Sequence, residues 1–120
     1  MQNHDVFLKY ENDTLYWSDS ATGNYQELKK DTVTCVVNGK DTVTFRAVSG
    51  IDKLKKITDG QNGTKKLIKS KSGEDTLTVV ATIVDSTVKD EIDKYDIKFQ
   101  PSGGGGNVTV DPKLSAGGNP

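Results

Sequence analysis

The sequence predicts an all-β protein: a single antiparallel β-sandwich of about seven or eight strands with Greek-key order. Short runs of β-branched and aromatic residues alternate with polar residues, which is the period of a half-buried strand. Gly, Asn and Asp separate these runs, and these residues favour turns. A chain of 120 residues is long enough for one domain with its own core and too short for two of ordinary size.

The predicted fold is centred on residues 31–47. Two β-branched runs, 32–37 and 42–47, flank Asn38-Gly39-Lys40. Asn-Gly is favoured between the strands of a hairpin because both residues tolerate positive φ. The sequence therefore predicts a hairpin here, with one apolar face that needs a partner sheet. The side chains expected on that face are Val33, Cys35, Val37, Val43, Phe45 and Ala47.

The N-terminal quarter is predicted to hold two strands and a possible third. Residues 6–10 alternate apolar and polar side chains, residues 11–13 form a turn, and residues 15–18 alternate again. Residues 18–24 are polar and contain a glycine, which indicates a loop. Residues 25–30 are predicted to be a short strand or a sheet edge.

The segment after the central pair leaves two interpretations open. Ile51, Leu54 and Ile57 are spaced three apart, which fits a helical turn, and an irregular strand fits equally well. Glycine flanks the segment on both sides, so we favour a strand with a bulge. Residues 59–63 are rich in Gly and Asn and are predicted to turn the chain.

The C-terminal half predicts further strands. Residues 66–71 read as a short strand and residues 76–85 as the most regular strand of the chain. A polar crossover is expected over residues 86–93. Residues 95–100 predict a strand with one wet face, and a glycine-rich reversal leads from it to a last strand at residues 108–110.

The domain is predicted to span residues 1–112. Residues 113–120 have little to bury, and we expect them to form a flexible or docked C-terminal tail.

Two segments carry a family resemblance. NGKDTVTFRA (residues 38–47) and KYDIKFQPSGGGGNVTVDP (residues 94–112) resemble a central strand and the closing hairpin of cupredoxin-like domains. With Trp17, their order along the chain is similar to immunoglobulin-like and small uncharacterised bacterial sandwich proteins. The resemblance implies a sandwich without copper, because the closing loop lacks the His, Cys and Met of a blue copper site and His4 is the only histidine.

Composition argues against several functions. A net charge of −1 gives no general attraction to nucleic acid or to an anionic membrane. No apolar run approaches the roughly 20 residues of a membrane-spanning helix, so no membrane insertion is expected. The N-terminus does not resemble a secretory signal, which leaves a cytoplasmic location and secretion with the leader absent from this sequence both open.

The sequence also offers few residues for catalysis or metal binding. A hydrolytic triad needs a base, and His4 lies near the terminus. Cys35, the only cysteine, is predicted to be a buried small hydrophobe and not a reactive thiol. Carboxylates over residues 90–96 suit either a calcium site or a solvated acidic loop, and intervening lysines favour the loop. We therefore expect no enzyme activity and no cofactor.

A lysine-rich stretch over residues 53–71 predicts a basic face. Two interpretations are open: lysine guards strand edges against pairing with other chains, or it binds an acidic partner. The absence of Arg and aromatic residues from the stretch argues against nucleic acid. Head-to-tail association with the acidic crossover of a second copy would make a homo-oligomer. The residues that would contact such a partner are Lys53, Lys55, Lys56, Lys65 and Lys66.

Three aromatic residues near the N-terminus suggest an alternative. Tyr16, Trp17 and Tyr25 would bind carbohydrate if they were exposed on one face, whereas Trp17 as a core anchor would exclude that arrangement. The leading hypothesis is a non-enzymatic interaction or structural module that binds a protein partner or itself through strand edges, and the alternative is a carbohydrate-binding module.

Overall fold

A computed structural model describes residues 1–118 and shows an all-β protein, as expected. These residues form twelve strands, one short 3-10 helix at Gln61–Gly63 and no α-helix. The expected seven or eight strands are too few, mainly because several strands are only two or three residues long. In chain order the strands are β1 (Asn3–Glu11), β2 (Thr14–Ser18), β3 (Gln26–Glu27), β4 (Val33–Asn38), β5 (Thr42–Ser49), β6 (Ile51–Thr58), β7 (Ile68–Ser72), β8 (Thr78–Ile83), β9 (Ile92–Lys94), β10 (Asp96–Pro101), β11 (Val108–Val110) and β12 (Lys113–Gly118).

The strands form three sheets. Sheet A has six strands in the order β3-β2-β1-β5-β8-β7, sheet B has the order β4-β12-β9, and sheet C has the order β11-β10-β6. The expectation of purely antiparallel sheets is wrong, because β1 pairs with β5 and β4 with β12 in parallel. Both parallel pairs join strands that are distant along the chain, as parallel pairing requires a long connection.

The central hairpin predicted at residues 38–40 is not formed. β4 and β5 lie in different sheets, so the connection between them is an arch. A reason is visible at the turn: the amide of Lys40 donates to the carbonyl of Val84 at 2.9 Å. A Cβ on Gly39 would lie 2.4 Å from the carbonyl oxygen of Asp85. The turn therefore packs on the segment after β8, which holds β5 away from β4.

A bulge in β4 changes which side chains point inward. Lys113 of β12 pairs with Val33 and the next residue, Leu114, pairs with Cys35, so Thr34 is the extra residue. Thr34 is buried and its hydroxyl lies 2.8 Å from that of Tyr95. The prediction that Val33 points inward is wrong, since Val33 is 44% exposed, and the buried position of Cys35 is confirmed.

The interpretation of residues 51–57 as a bulged strand is confirmed. The register between β6 and β10 shifts twice, which leaves Asp52 and Lys55 without a directly opposed residue. Each extra residue turns a two-residue spacing into a three-residue spacing. Ile51, Leu54 and Ile57 are consequently all buried although the segment is not helical.

Residues 113–118, which were predicted to be a tail, form β12 between β4 and β9. Leu114 and Ala116 are buried there, so β11 is not the last strand. Residues 119–120 of the predicted tail lie outside the described residues.

One hydrophobic core takes side chains from all three sheets. Two ring contacts join sheet A to the rest: Tyr10 meets Phe99 at 5.0 Å between ring centroids, and Phe45 meets Tyr95 at 5.7 Å. No helix in residues 1–118 has the length and apolar character needed to cross a membrane.

Candidate functional site

The sheet edges differ in how much unpaired backbone they expose. The edge strands β3, β9 and β11 are two or three residues long. The edge strand β7 has five residues and carries Lys69 and Lys71. Short edges and lysine-bearing edges resist pairing with another chain. These four edges are therefore poor candidates for an interface.

The outer edge of β6 is covered by the segment before β8. The amide of Leu54 donates to the carbonyl of Thr76, and the carbonyl of Leu54 accepts from the amide of Asp75, each at 2.7 Å. The amide of Ile57 donates to the carboxylate of Glu74 at 2.8 Å. These bonds leave little of the β6 edge for another strand.

The edge of β4 is the remaining candidate. It has six residues, VTCVVN, and no charged side chain. β12 covers one side of it, and within residues 1–118 no strand pairs with the other side. Val33 and Val36 point away from the core and are 44% and 58% exposed. A strand of this length, with β-branched side chains and no lysine, is the kind of edge to which another strand adds.

A buried carboxylate fixes the turn at the end of β4. Asp41 is 2% exposed, and its oxygens accept hydrogen bonds from the amides of Gln2 and Asn38 and from Nε2 of His4, each at 2.9 Å. Burial raises the pKa of Asp41, but these hydrogen bonds outweigh burial and the pKa is lowered overall. The ionised carboxylate thus ties the start of β1 to the turn between β4 and β5.

Cys35 lies on the inward face of β4. Burial raises the pKa of its thiol to about 11. A nucleophilic cysteine needs the thiolate at neutral pH and access to a substrate, and Cys35 meets neither condition.

The lysines of the expected basic face fall into two groups. Lys53, Lys55 and Lys56 lie on β6, whereas Lys65 and Lys66 lie in the loop before β7. Asp75 forms ion pairs with Nζ of Lys53 at 3.8 Å and Nζ of Lys55 at 2.8 Å. Three of the five are therefore engaged within the molecule, since Lys65 also pairs with Glu91 at 3.9 Å.

The three aromatic residues do not form one platform. Tyr16 and Trp17 are adjacent in β2, and adjacent residues of a strand point to opposite faces of the sheet. Trp17 is partly buried against the core, and its Nε1 is buried without a hydrogen-bond partner among the described residues. The ring centroid of Tyr25 lies 4.2 Å from Nζ of Lys9. Lys9 of β1 is paired with Tyr16 of β2, so this contact lies on the sheet face of Tyr16 and not on that of Trp17.

The acidic crossover contains one buried carboxylate. Asp93 of β9 is fully buried and accepts hydrogen bonds from the amides of Gly60 at 2.7 Å and Leu67 at 2.9 Å. Burial raises the pKa of Asp93 despite these bonds. In residues 1–118 no three His, Cys, Asp or Glu side chains are grouped in a way that would hold a metal ion.

The sequence did not single out Val36 or Asp41, and it placed Asp93 only among the carboxylates of the acidic crossover. The buried role of Asp41 depends on β1 lying beside β5, which no local pattern encodes. Val36 lies in the first strand of the predicted hairpin, and the sequence did not indicate which side of that strand would be unpaired.

Comparison with known proteins adds no family. The chain matches no protein-family model, and no curated protein matches it.

Proposed function

We propose that this protein is a non-enzymatic module that associates with a second copy of itself through the unpaired edge of β4. The observation that carries the proposal is the combination of a six-residue strand without charge, two exposed valines and no strand partner on one side within residues 1–118. Strand addition at such an edge gains backbone hydrogen bonds along its whole length.

A second copy suits this edge for two reasons. Antiparallel pairing of β4 with its equivalent is isologous, so one interface satisfies both edges and the assembly closes as a dimer. It also places no like charges opposite each other within β4, and it sets β-branched side chains against β-branched side chains across the strands. The three-stranded sheet B of each copy would then continue into that of the other.

The other sheet edges are each protected against pairing, so the dimer would use only the β4 edge. β7 carries lysines, β6 is covered, and the remaining edges are short. Lysine on β7 acts as the guard against further pairing, which was one of the two interpretations of the lysine-rich stretch. Association is thereby restricted to one edge.

Two observations support a role without catalysis. The only thiol is buried with a raised pKa, and the only histidine is hydrogen-bonded to a buried carboxylate that is itself held by backbone amides.

We further propose that the architecture is a variant β-sandwich, with sheet A as one layer and sheets B and C as the other. The cupredoxin-like or immunoglobulin-like relationship and the Greek-key order remain part of this proposal.

The test is sedimentation equilibrium of the purified protein over a range of concentrations. We expect a reversible monomer–dimer equilibrium for the wild type and a shift to monomer for Val36→Lys, because lysine on an edge strand opposes pairing. Val88→Lys is the matched control: Val88 is 66% exposed and lies in the loop between β8 and β9. This control should dimerise as the wild type does.

Hydrogen exchange measured by NMR locates the interface. The β4 amides on the unpaired side should become protected as concentration rises. A wild type that stays monomeric at every concentration contradicts the proposal, and so does a dimer in which β4 amides keep their exchange rates. Equal weakening by Val36→Lys and Val88→Lys would also contradict it.

A further inference from the structure

A groove lies between two turns at one end of the molecule, and no role considered above uses it. One wall is the β1–β2 turn with Glu11, Asn12 and Asp13, and the other is the glycine-rich loop of residues 101–106. Its volume is about 510 Å³, which lies within the usual range of small-molecule sites. The groove is far larger than a gap between packed side chains.

Three of the residues that line the groove have largely apolar side chains. Tyr10, Pro101 and Val108 line it. The ring of Tyr10 is held edge-on against Phe99 at 5.0 Å, so its orientation is set by the core. An aromatic ring fixed in this way offers an apolar surface and a hydroxyl group side by side.

The backbone behind Tyr10 is equally constrained. A Cβ on Gly50 would lie 1.8 Å from the carbonyl oxygen of Tyr10, and Gly50 has φ of +74°. The amide of Ser102 donates to the carbonyl of Gly50 at 3.1 Å, which fixes the start of the glycine-rich loop. The two walls are therefore joined through Gly50.

The polar groups of the groove are free to bind a ligand. The side chains of Glu11, Asn12 and Asp13 are exposed, and none of them has a hydrogen-bond or ion-pair partner in the described part of the chain. A Cβ placed on any of the four glycines of residues 103–106 would meet no atom within 4 Å. The backbone of this loop is thus open to the solvent and to a ligand.

The charge of the residues that line the groove limits which ligands it could bind. The described residues that line the groove include Glu11 and Asp13 and no Lys, Arg or His. An anionic ligand would meet only negative charge. A cation is attracted weakly, because both carboxylates are exposed to water and their fields are screened. A neutral ligand with many hydroxyl groups and an apolar face fits the apolar side chains and the carboxylate acceptors of the groove together.

We infer that the groove between the β1–β2 turn and the glycine-rich loop binds a neutral oligosaccharide. The apolar face of a sugar ring lies on Tyr10, and its hydroxyl groups donate to Glu11 and Asp13. The amides of Ser102 and Gly104 are bonded within the molecule, and other amides of the glycine-rich loop donate to the oxygens of the sugar. This site is independent of the β4 edge, and it differs from the arrangement of Tyr16, Trp17 and Tyr25 expected from the sequence.

The experiment is an NMR titration of the ¹⁵N-labelled protein with three neutral trisaccharides, cellotriose, mannotriose and chitotriose, at millimolar concentrations. We expect saturable shifts from at least one of them, confined to residues 10–13 and 101–108. Glu11→Ala should weaken binding about fivefold, the loss of one hydrogen bond. The matched control Glu27→Ala replaces an exposed glutamate of β3 and should leave the affinity unchanged.

A second variant tests the groove without touching its hydrogen-bonding side chains. Gly103→Val adds a side chain where a Cβ meets nothing, and Gly103 does not have positive φ, so folding should be unaffected. The added side chain should obstruct the groove and weaken binding about tenfold or more. Calcium chloride and tetralysine are titrated in parallel as probes of a cation site. Two results would overturn the inference: no shifts with any trisaccharide, whether or not either cation shifts the groove residues, or shifts outside this end of the molecule.

Discussion

Replacing Asp41 by alanine should destabilise the protein far more than the replacement of an exposed aspartate. The change removes the acceptor for Gln2, Asn38 and His4, each of which is bonded at 2.9 Å. A hydrogen bond to a charged group contributes about 1.5–3 kcal/mol. Water can replace the acceptor for the exposed Gln2 and partly for His4, so we count one full bond and two reduced ones and expect a loss of about 3 kcal/mol.

Urea unfolding followed by the fluorescence of Trp17, the only tryptophan, measures this loss. With a urea m-value of about 1–3 kcal/mol/M, the midpoint should fall by about 1–3 M. Asp41→Asn keeps one acceptor oxygen and should lose about half as much stability. Asp19→Ala removes an exposed carboxylate and is the control. If Asp41→Ala and Asp19→Ala shift the midpoint equally, the proposed role of the Asp41 carboxylate is refuted.

The pH dependence gives an independent check. The folded-state pKa of Asp41 is lowered, so its contribution is complete above the unfolded-state pKa of about 3.9. The contribution is lost as pH falls through the lower, folded-state pKa. The stability difference between the wild type and Asp41→Asn should therefore be constant near neutral pH and shrink below about pH 4.

Three further predictions concern Gly50, Cys35 and Asp93. Gly50→Ala should lower the free energy of unfolding by more than about 2 kcal/mol in urea unfolding. The reason is that a Cβ at position 50 would lie 1.8 Å from the carbonyl oxygen of Tyr10, and Gly50 has a positive φ. Gly103→Ala is the control and should be neutral. The thiol of Cys35, with a pKa of about 11, should resist Ellman's reagent at pH 8 until urea unfolds the protein; rapid labelling of the native protein would contradict this. Because the folded-state pKa of Asp93 is raised, the wild type should lose stability as pH rises from about 4 through that pKa. Asp93→Asn should therefore flatten the curve of stability against pH in this range. An unchanged curve would show that Asp93 is not the group responsible.

Local patterns predicted strands well, because alternation depends only on neighbours in sequence. Residues 6–10 were expected to be a strand and lie in β1, and of the strand expected at residues 95–100 all but the first residue lie in β10. Even the bulged β6 was favoured correctly from its flanking glycines. Each of these predictions needs only the period of the side chains and the position of turn residues.

Pairing between strands was beyond those patterns. Asn38-Gly39 is a strong hairpin signal, but Gly39 packs against Asp85, a contact with a distant segment. The sequence did not predict β12, because Leu114 and Ala116 are the only apolar side chains that alternate along it. This strand is held by its pairing with β4 on one side and β9 on the other. The unpaired edge of β4 could not be predicted either, since it exists only because β5 leaves for sheet A.

The position of β12 has a consequence for biosynthesis. β12 is the middle strand of sheet B, so neither β4 nor β9 has a neighbour in that sheet until residue 118 has left the ribosome. All six strands of sheet A lie before residue 84 and are synthesised earlier. Translation therefore passes through a stage in which every strand of sheet A has been made and β4 still lacks its one neighbour in sheet B, and a delay in elongation over residues 84–118 prolongs that stage.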